Sequence, residues 1–310
     1  MATYLVTGGA GFIGSHITEA LLRRGAHVRV LDNLATGRAI NLDPFRSEIE
    51  WIEADIRDAD AVMRAAKGAD VVIHQAALPS VQRSVLDPHT SNAVNVTGTL
   101  NVLSAAQAGG ARRVVFASSS SVYGDTPTLP KVESMPPSPR SPYAVSKLAG
   151  ERYCLVWAEV YRVPAIALRY FNVFGPRQDP RSDYAAVIPR FATALLAGQA
   201  PTIYGDGEQS RDFTYVDNVV SANLTAADAP AEISGAFNVA TGDRISLLDL
   251  VARLNRLIGS DIQPLHAPAR AGDVRHSQAG IEAIRAAIGW QPVVAFDEGL
   301  RRTVEHFRHG

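Results

Sequence analysis

TYLVTGGAGFIGSH, residues Thr3–His16, is an apolar run that breaks into glycines and then resumes with helical spacing. Glycines at positions 8, 9, 11 and 14 are many for so short a turn. With no Cβ in the way, backbone N–H groups can close on a phosphate at the positive end of the following helix. The stretch therefore predicts a strand, a tight turn and a helix, with Gly8, Gly11 and Gly14 cradling a pyrophosphate. A lone glycine motif reads equally well as a flexible turn, so its neighbours have to decide.

The neighbours alternate. Strands read at TYLVTG (3–8), HVRVLDN (27–33), IEWIEAD (49–55), ADVVIHQAA (69–77), RRVVFASS (112–119) and PAIALRYF (164–171). Helical stretches lie between them at 12–25, 58–68, about 88–107 and 142–161. Gly109-Gly110 stops the third helix, and Ser141-Pro142 supplies an N-cap and first position for the fourth. Alternation of this kind predicts an α/β fold, a doubly wound parallel sheet of Rossmann type. After Asn172 the pattern loosens into loops and shorter helices. The expected division is a nucleotide-binding domain over 1–172 and a smaller, mixed α/β substrate domain over 173–310, with segments around 206–241 returning to the first. The second region is expected over the carboxyl edge of the sheet, where open α/β sheets bind ligands.

Composition narrows the classes. The chain has 310 residues, 46% of them hydrophobic, and a formal net charge of −1, which argues against a general nucleic-acid or anionic-membrane binder. Cys154 is the only cysteine, so no disulfide forms within the chain and a reducing compartment is expected. Neither a basic leader nor an apolar run of about 18 residues is present, and the expectation is a cytoplasmic protein. His306 and His309 have no further ligand nearby in sequence, so no metal site is expected.

Asp32 stands 18 residues beyond Gly14, at the end of the second strand. A carboxylate there accepts hydrogen bonds from the adenosine ribose hydroxyls. Asn33 follows where a basic residue would welcome a 2′-phosphate, which favours NAD over NADP. Asp55, ending the third strand, is placed near an adenine edge, although alone it would pass for an ordinary N-cap.

SPYAVSK places Tyr143 and Lys147 four apart at the start of a helix, hence on one face. Tyrosine ionises near pH ~10 and needs help to act as a base at neutrality. A lysine ammonium nearby, with the positive ring of an oxidised nicotinamide, would stabilise the phenolate. The serines of FASSSSVYGD, Ser118–Ser121, lie at the carboxyl edge of the sheet, where a hydroxyl can bridge a substrate oxygen and Tyr143. Some of the four are expected only to cap their own loop.

TGGAGFIGSH, HQAA, SSSSVYG, YAVSK and RYFNVFGPRQ together resemble the extended short-chain dehydrogenase/reductases, in order and spacing along essentially the whole chain. Within them the chain is similar to the NAD-dependent UDP-sugar 4-epimerases, especially those acting on UDP-N-acetylhexosamines. The resemblance implies a catalytic trio of Ser119, Tyr143 and Lys147, Ser119 because it stands four before the tyrosine of YG. Around NAD it implies Phe12, Ile13, Asp32, Asn33, Asp55, Ile56, Gln75, Ala76, Ala77, Asn95 and Phe171, with Tyr143 and Lys147. For UDP it implies Asn172, Ala186, Val187, Tyr204, Arg211, Arg270 and Asp273. Ser80, Gln178 and Ser277 match sugar-contacting positions, and Ser119, Ser120 and Tyr143 are expected against the reacting sugar. Pro79 departs from the lysine that some glucose-type members carry.

Related dehydratases and decarboxylases need a carboxyl group beside the catalytic hydroxyl, and here those places hold Ser120 and Ser121. The resemblance therefore implies epimerisation at C4 of a UDP-hexose, UDP-glucuronate being an alternative substrate and a catalytically idle NAD-binding regulator an alternative class. Ser277, four after Asp273, leaves room at C2 for an N-acetyl group where a tyrosine would fill it. The resemblance also implies a homodimer built on the helices 88–107 and 142–160, using Val96, Leu100, Leu103, Leu148, Leu155 and Val156.

Overall fold

The computed structural model describes residues 1–180, 186–269 and 275–309. Its centre is a parallel sheet of seven strands: β1 (Thr3–Thr7), β2 (His27–Asp32), β3 (Ile49–Glu53), β4 (Val71–His74), β5 (Arg113–Ser119), β6 (Ala165–Tyr170) and β11 (Gly235–Val239). Their spatial order is β3-β2-β1-β4-β5-β6-β11, so the direction of winding reverses between β1 and β4. The carboxyl ends of those two strands open a crevice at the switch point, where such sheets bind nucleotides.

Both faces of the sheet are covered, which is why its strands read as near-continuous apolar runs. Tyr4, Val6, Val28 and Val30 pack with Ile17 and Leu21 of α1 (Phe12–Arg23) and Val219 of α8 (Val216–Asp228). Leu5, Leu31, Val72 and Val114 turn the other way. They pack with Val62 of α2 (Ala59–Ala66), Leu103 of α5 (Gly98–Ala108) and Cys154 of α6 (Pro142–Val160).

The long helix expected over 88–107 is built in three pieces: α4 (Pro88–Asn92), a π-helical turn Ala93–Thr97, and α5. A short helix that the periodicity does not announce, α3 (Val81–Leu86), precedes it. The first core runs on without a break into the C-terminal region through Phe191 of α7 (Val187–Leu196), Leu250 of α9 (Leu247–Ile258) and Leu300 of α11 (Phe296–His309). Three small strand pairs stiffen this region: β7 (Val173–Phe174) with β10 (Thr214–Tyr215), β8 (Thr202–Tyr204) with β13 (Leu265–Ala267), and β9 (Ser210–Arg211) with β12 (Ile245–Ser246). No helix among the described residues is long and apolar enough to cross a membrane.

Candidate active site

The glycine turn is closed by backbone. Gly8 has φ +71°, and a Cβ there would lie 2.6 Å from the Ala76 nitrogen, across the crevice between β1 and β4. A Cβ on Gly14 would sit 2.1 Å from the Gly8 carbonyl oxygen. Gly11 opens α1 with no side chain capping it and no acid in the first turn, so the helix keeps its positive end. Phe12 and Ile13, half-buried, begin the helix beside it. A cradle that any side chain would fill fits a pyrophosphate.

Asp32, 7% exposed, takes the Ala10 N–H on Oδ2 (2.9 Å) and the Leu34 N–H on Oδ1 (2.8 Å). Burial raises its pKa against those two donors. Each oxygen keeps a further lone pair, which suits a ribose diol. Asn33 donates to Asp55 at 2.7 Å, and Arg57 grips the same carboxylate at 3.0 and 2.7 Å, holding it below the usual range. These contacts build a polar rim at the ends of β2 and β3.

Several residues matched to the cofactor have their side chains committed elsewhere. Gln75 donates to the Tyr170 hydroxyl and Asn223 at 2.9 and 3.1 Å. Asn95 holds the Leu78 backbone and Ser146. Ile56 and Phe171 are buried in the protein, while Ala76 and Ala77 remain half-exposed at the crevice. For Gln75 and Asn95, that leaves only backbone and wall shape to meet a bound nucleotide.

His74 is a residue that sequence reasoning passes over although it opens HQAA. Thr99 gives its one hydroxyl proton to the Asn95 carbonyl at 2.7 Å, so its 3.0 Å contact with His74 is an Nε2–H donation. Nδ1 then accepts from Thr7 Oγ1 at 2.6 Å. Burial and the charge of Lys147 push the imidazole down to about 3, which keeps this neutral tautomer.

Strand β5 and helix α6 bring the predicted trio together. Ser141 caps α6 through the Ala144 N–H (3.1 Å), and the Tyr143 N–H donates to Ser84 Oγ (3.0 Å). The Tyr143 phenol faces Ser119, whose hydroxyl acts to lower its pKa. Ser119 Oγ accepts from the Ser121 N–H and hydroxyl at 3.2 and 2.9 Å, leaving its own proton for the phenol oxygen. Lys147 Nζ donates to the Ala117 carbonyl at 2.9 Å, and burial lowers it to about 8. Burial raises the Tyr143 phenol, and Ser119 works against that rise. Of the other serines, Ser118 donates to Glu151 (2.7 Å) and Ser120 begins a short 3₁₀ turn, Ser120–Tyr123.

A second cleft, of about 260 Å³, gathers Asn172, Ala186, Val187, Tyr204 and Arg211 from segments far apart in the chain. Phe174, Phe191, Phe213 and Gln209 complete its walls, and Arg190 adds a cation that sequence reasoning missed. Asn172, at φ +32°, donates from Nδ2 to the Asp212 carbonyl (3.0 Å) and to Ser277 Oγ (3.1 Å). Ser277 is thereby fixed at the edge of the cleft. Asp212, also missed, takes four donors from Thr241, Gly242 and Ala279 and clasps these loops together; burial still raises it, to about 6. Ser80 caps α3 through the Arg83 N–H at 3.0 Å. Gln178 donates to the Val173 carbonyl at 3.3 Å, and its buried Oε1 has no partner among the described residues. Arg270 and Asp273 lie outside the described residues.

His306 accepts from the Arg177 N–H at 3.3 Å. Among the described residues no group of three His, Cys, Asp or Glu could hold a metal ion. The dinucleotide cradle, the hydroxyl–phenol–ammonium trio and the cleft thus meet along one edge of the sheet.

Comparison with known proteins agrees with that arrangement. The chain is 43% identical over 309 residues to a UDP-glucose 4-epimerase of Mycolicibacterium smegmatis, covering 98% of both chains. The UDP-N-acetylglucosamine 4-epimerase of Methanobrevibacter ruminantium, solved with UDP-N-acetylmuramic acid, superposes with a TM-score of 0.94 at 42% identity, over 99% of this chain and 98% of that one. The Thermus thermophilus UDP-glucose 4-epimerase, solved with NAD, gives 0.89 at 40% identity over 99% of each chain. Residues 4–240 match the NAD dependent epimerase/dehydratase family. With relatives this similar along its whole length, and with that family's model spanning its sheet from β1 to β11, the chain belongs to the NAD-dependent epimerase/dehydratase family.

Proposed function

We propose that this protein is an NAD-dependent 4-epimerase of UDP-hexoses. The observation that carries the reading is the trio Ser119, Tyr143 and Lys147 beside the cradle, with hydroxyls and no carboxylate at positions 120 and 121. A dehydratase or decarboxylase needs a carboxyl group at those places, whereas an epimerase needs only a base and a reversible acceptor.

Gly8, Gly11 and Gly14 would hold the pyrophosphate of NAD, and Asp32 a ribose diol. When bound, NAD supplies an acceptor for the C4 hydride and a second positive charge in the site. The chain's own part is proton handling and restraint. Ser119 donates to the phenol oxygen and so favours the phenolate, while the Lys147 ammonium adds positive charge nearby. Tyr143 then takes the proton of the 4-hydroxyl, and gives it back to the C4 oxygen once the 4-keto sugar has turned over and presents the opposite face of C4 to the returning hydride. Turning over requires that the sugar be held by its nucleotide. Tyr204 offers a face for uracil, Arg211 a fork for the diphosphate, and Asn172, Ala186 and Val187 the walls.

Ser277 favours UDP-GlcNAc and UDP-GalNAc as accepted substrates, with UDP-glucose and UDP-galactose also turned over. A homodimer fits the exposed apolar side chains of α3 and α6: Val85 and Leu86 on the first, Val145, Val156 and Val160 on the second. Of the residues expected at that interface, Leu103 is fully buried against its own sheet and belongs to the core. Light scattering at micromolar concentration should give twice the chain mass; monomer alone would remove the dimer from the account.

The test of the reaction is isotopic. A UDP-hexose deuterated at C4 should give its epimer with the deuterium retained, in ordinary water and without added reductant. Exchange of that deuterium with solvent would mean a different mechanism.

A further inference from the structure

We propose that Glu151 and Arg169 form a positioning pair that sets the height of α6 on β5, so that Tyr143 meets Ser119. The proposal deepens the 4-epimerase reading and rests on it for its kinetic arm.

Three consecutive residues of β5 each hold one residue of α6. The Ala117 carbonyl takes Lys147 Nζ (2.9 Å), Ser118 Oγ donates to Glu151 Oε2 (2.7 Å), and Ser119 meets the Tyr143 phenol. Glu151 stands one helical turn beyond Lys147 and is fully buried. Arg169 lies on β6 directly across from Ser118 in the strand register. Its Nε and Nη2 close on both oxygens of Glu151 at 2.9 and 2.6 Å, and both side chains are almost wholly out of water.

Two buried charges would cost more than two apolar side chains of similar volume if filling space were the need. What a bidentate pair adds is a fixed distance and angle, which apolar packing leaves loose. The tie also continues beyond the helix. Arg169 Nη1 donates to the Tyr123 hydroxyl (2.7 Å), which passes its proton to Asn238 (2.7 Å) on β11. Asn238 in turn donates to the carbonyls of Lys131 and Gly280 at 2.9 and 3.0 Å. The base helix, the serine strand and the returning strand are therefore locked in one register by a network that lies behind the reacting groups. Glu151 acts through Ser118 and the helix, as a positioning residue.

Glu151→Gln alone leaves Arg169 buried without a counter-charge, and a large fall in melting temperature is the expected result. The test is the double variant Glu151→Gln/Arg169→Gln beside Ser118→Ala. The double variant should recover most of the melting temperature lost by the single one, keep KM within about threefold and lose kcat about 100-fold, the scale of a small misplacement of reacting groups. Ser118→Ala, which removes one hydrogen bond to a charged group, should lose kcat about tenfold while lowering the melting temperature by only about 2–6 °C. Crystal structures of both should show the Tyr143 phenol displaced from Ser119 relative to wild type. Recovery of kcat together with stability in the double variant, or wild-type kcat in Ser118→Ala, overturns the proposal. So does an undisturbed Tyr143–Ser119 contact in the variant crystals. If the double variant does not fold, Ser118→Ala decides alone. A wild-type protein that turns over no UDP-sugar contradicts the functional reading, and the crystal arm still tests the positioning.

Discussion

The two halves of the site are made differently. The nucleotide cradle is backbone, drawn from neighbouring residues: the glycine turn, the start of α1 and the Ala76 nitrogen against Gly8. The cleft proposed for the substrate is side chains, drawn from Asn172, Ala186, Val187, Tyr204 and Arg211, with Ser277 held at its edge. Backbone cradles tolerate no added atom, whereas side-chain clefts can be re-cut. The first half should fail abruptly on substitution, and the second should change its preference.

The trio at their junction carries the largest expected effect. Tyr143→Phe removes the proton acceptor and should lower kcat by about 10³-fold, within the range of general acid–base catalysis. Folding and NAD content should stay as in wild type, by circular dichroism and by nucleotide released on denaturation. Near-wild-type turnover would mean that the base is elsewhere. Next comes the cradle. Gly14→Ala places a Cβ on the Gly8 carbonyl oxygen and should weaken NAD binding about 100-fold, the cost of overpacking a rigid site. Calorimetric titration of nucleotide-free protein checks it, and unchanged affinity would break the backbone side of the comparison.

How much of this is legible in sequence follows the same division. The glycine turn, Asp32, the YxxxK pair and the serine run sit in short contiguous motifs on strongly alternating strands and helices. Local chemistry specifies them, so they could be read directly. Arg190 and Asp212 could not, because nothing local marks an arginine on a helix as lining a cleft, or an aspartate as a clasp for loops at Thr241 and Ala279. The side-chain commitments of Gln75 and Asn95 were hidden for the same reason: their partners Tyr170, Asn223 and Ser146 are distant in sequence. The choice of Ser119 among four serines needed the resemblance. The structure gives Ser118 and Ser121 partners of their own, Glu151 and Ser119.

Two smaller effects sharpen the contrast. His74, under the cradle, is held neutral with its pKa lowered to about 3, against 6.5 unfolded. Between those values the unfolded chain binds the extra proton, so this histidine's contribution is present above pH 6.5 and is lost as the pH falls toward 3. By pH 5 the loss is ~2 kcal/mol. Denaturant unfolding of wild type and His74→Asn at pH 7 and pH 5 should show the smaller pH-induced loss in the variant; equal losses would refute the assignment. On the cleft side, Ser277→Tyr should cut kcat/KM for UDP-GlcNAc at least about tenfold more than for UDP-glucose, the scale on which pocket shape discriminates. Parallel losses for both substrates would mean that Ser277 does not face C2 of the sugar.

Proton NMR of purified wild-type protein incubated with UDP-GlcNAc, without added reductant, tests the central claim most directly. The account predicts a steady appearance of UDP-GalNAc to a fixed ratio, reached also from the UDP-GalNAc side, and the corresponding conversion of UDP-glucose. Turnover of UDP-glucose with none of UDP-GlcNAc would contradict the reading of the cleft. No change at C4 in any UDP-hexose would contradict the 4-epimerase itself.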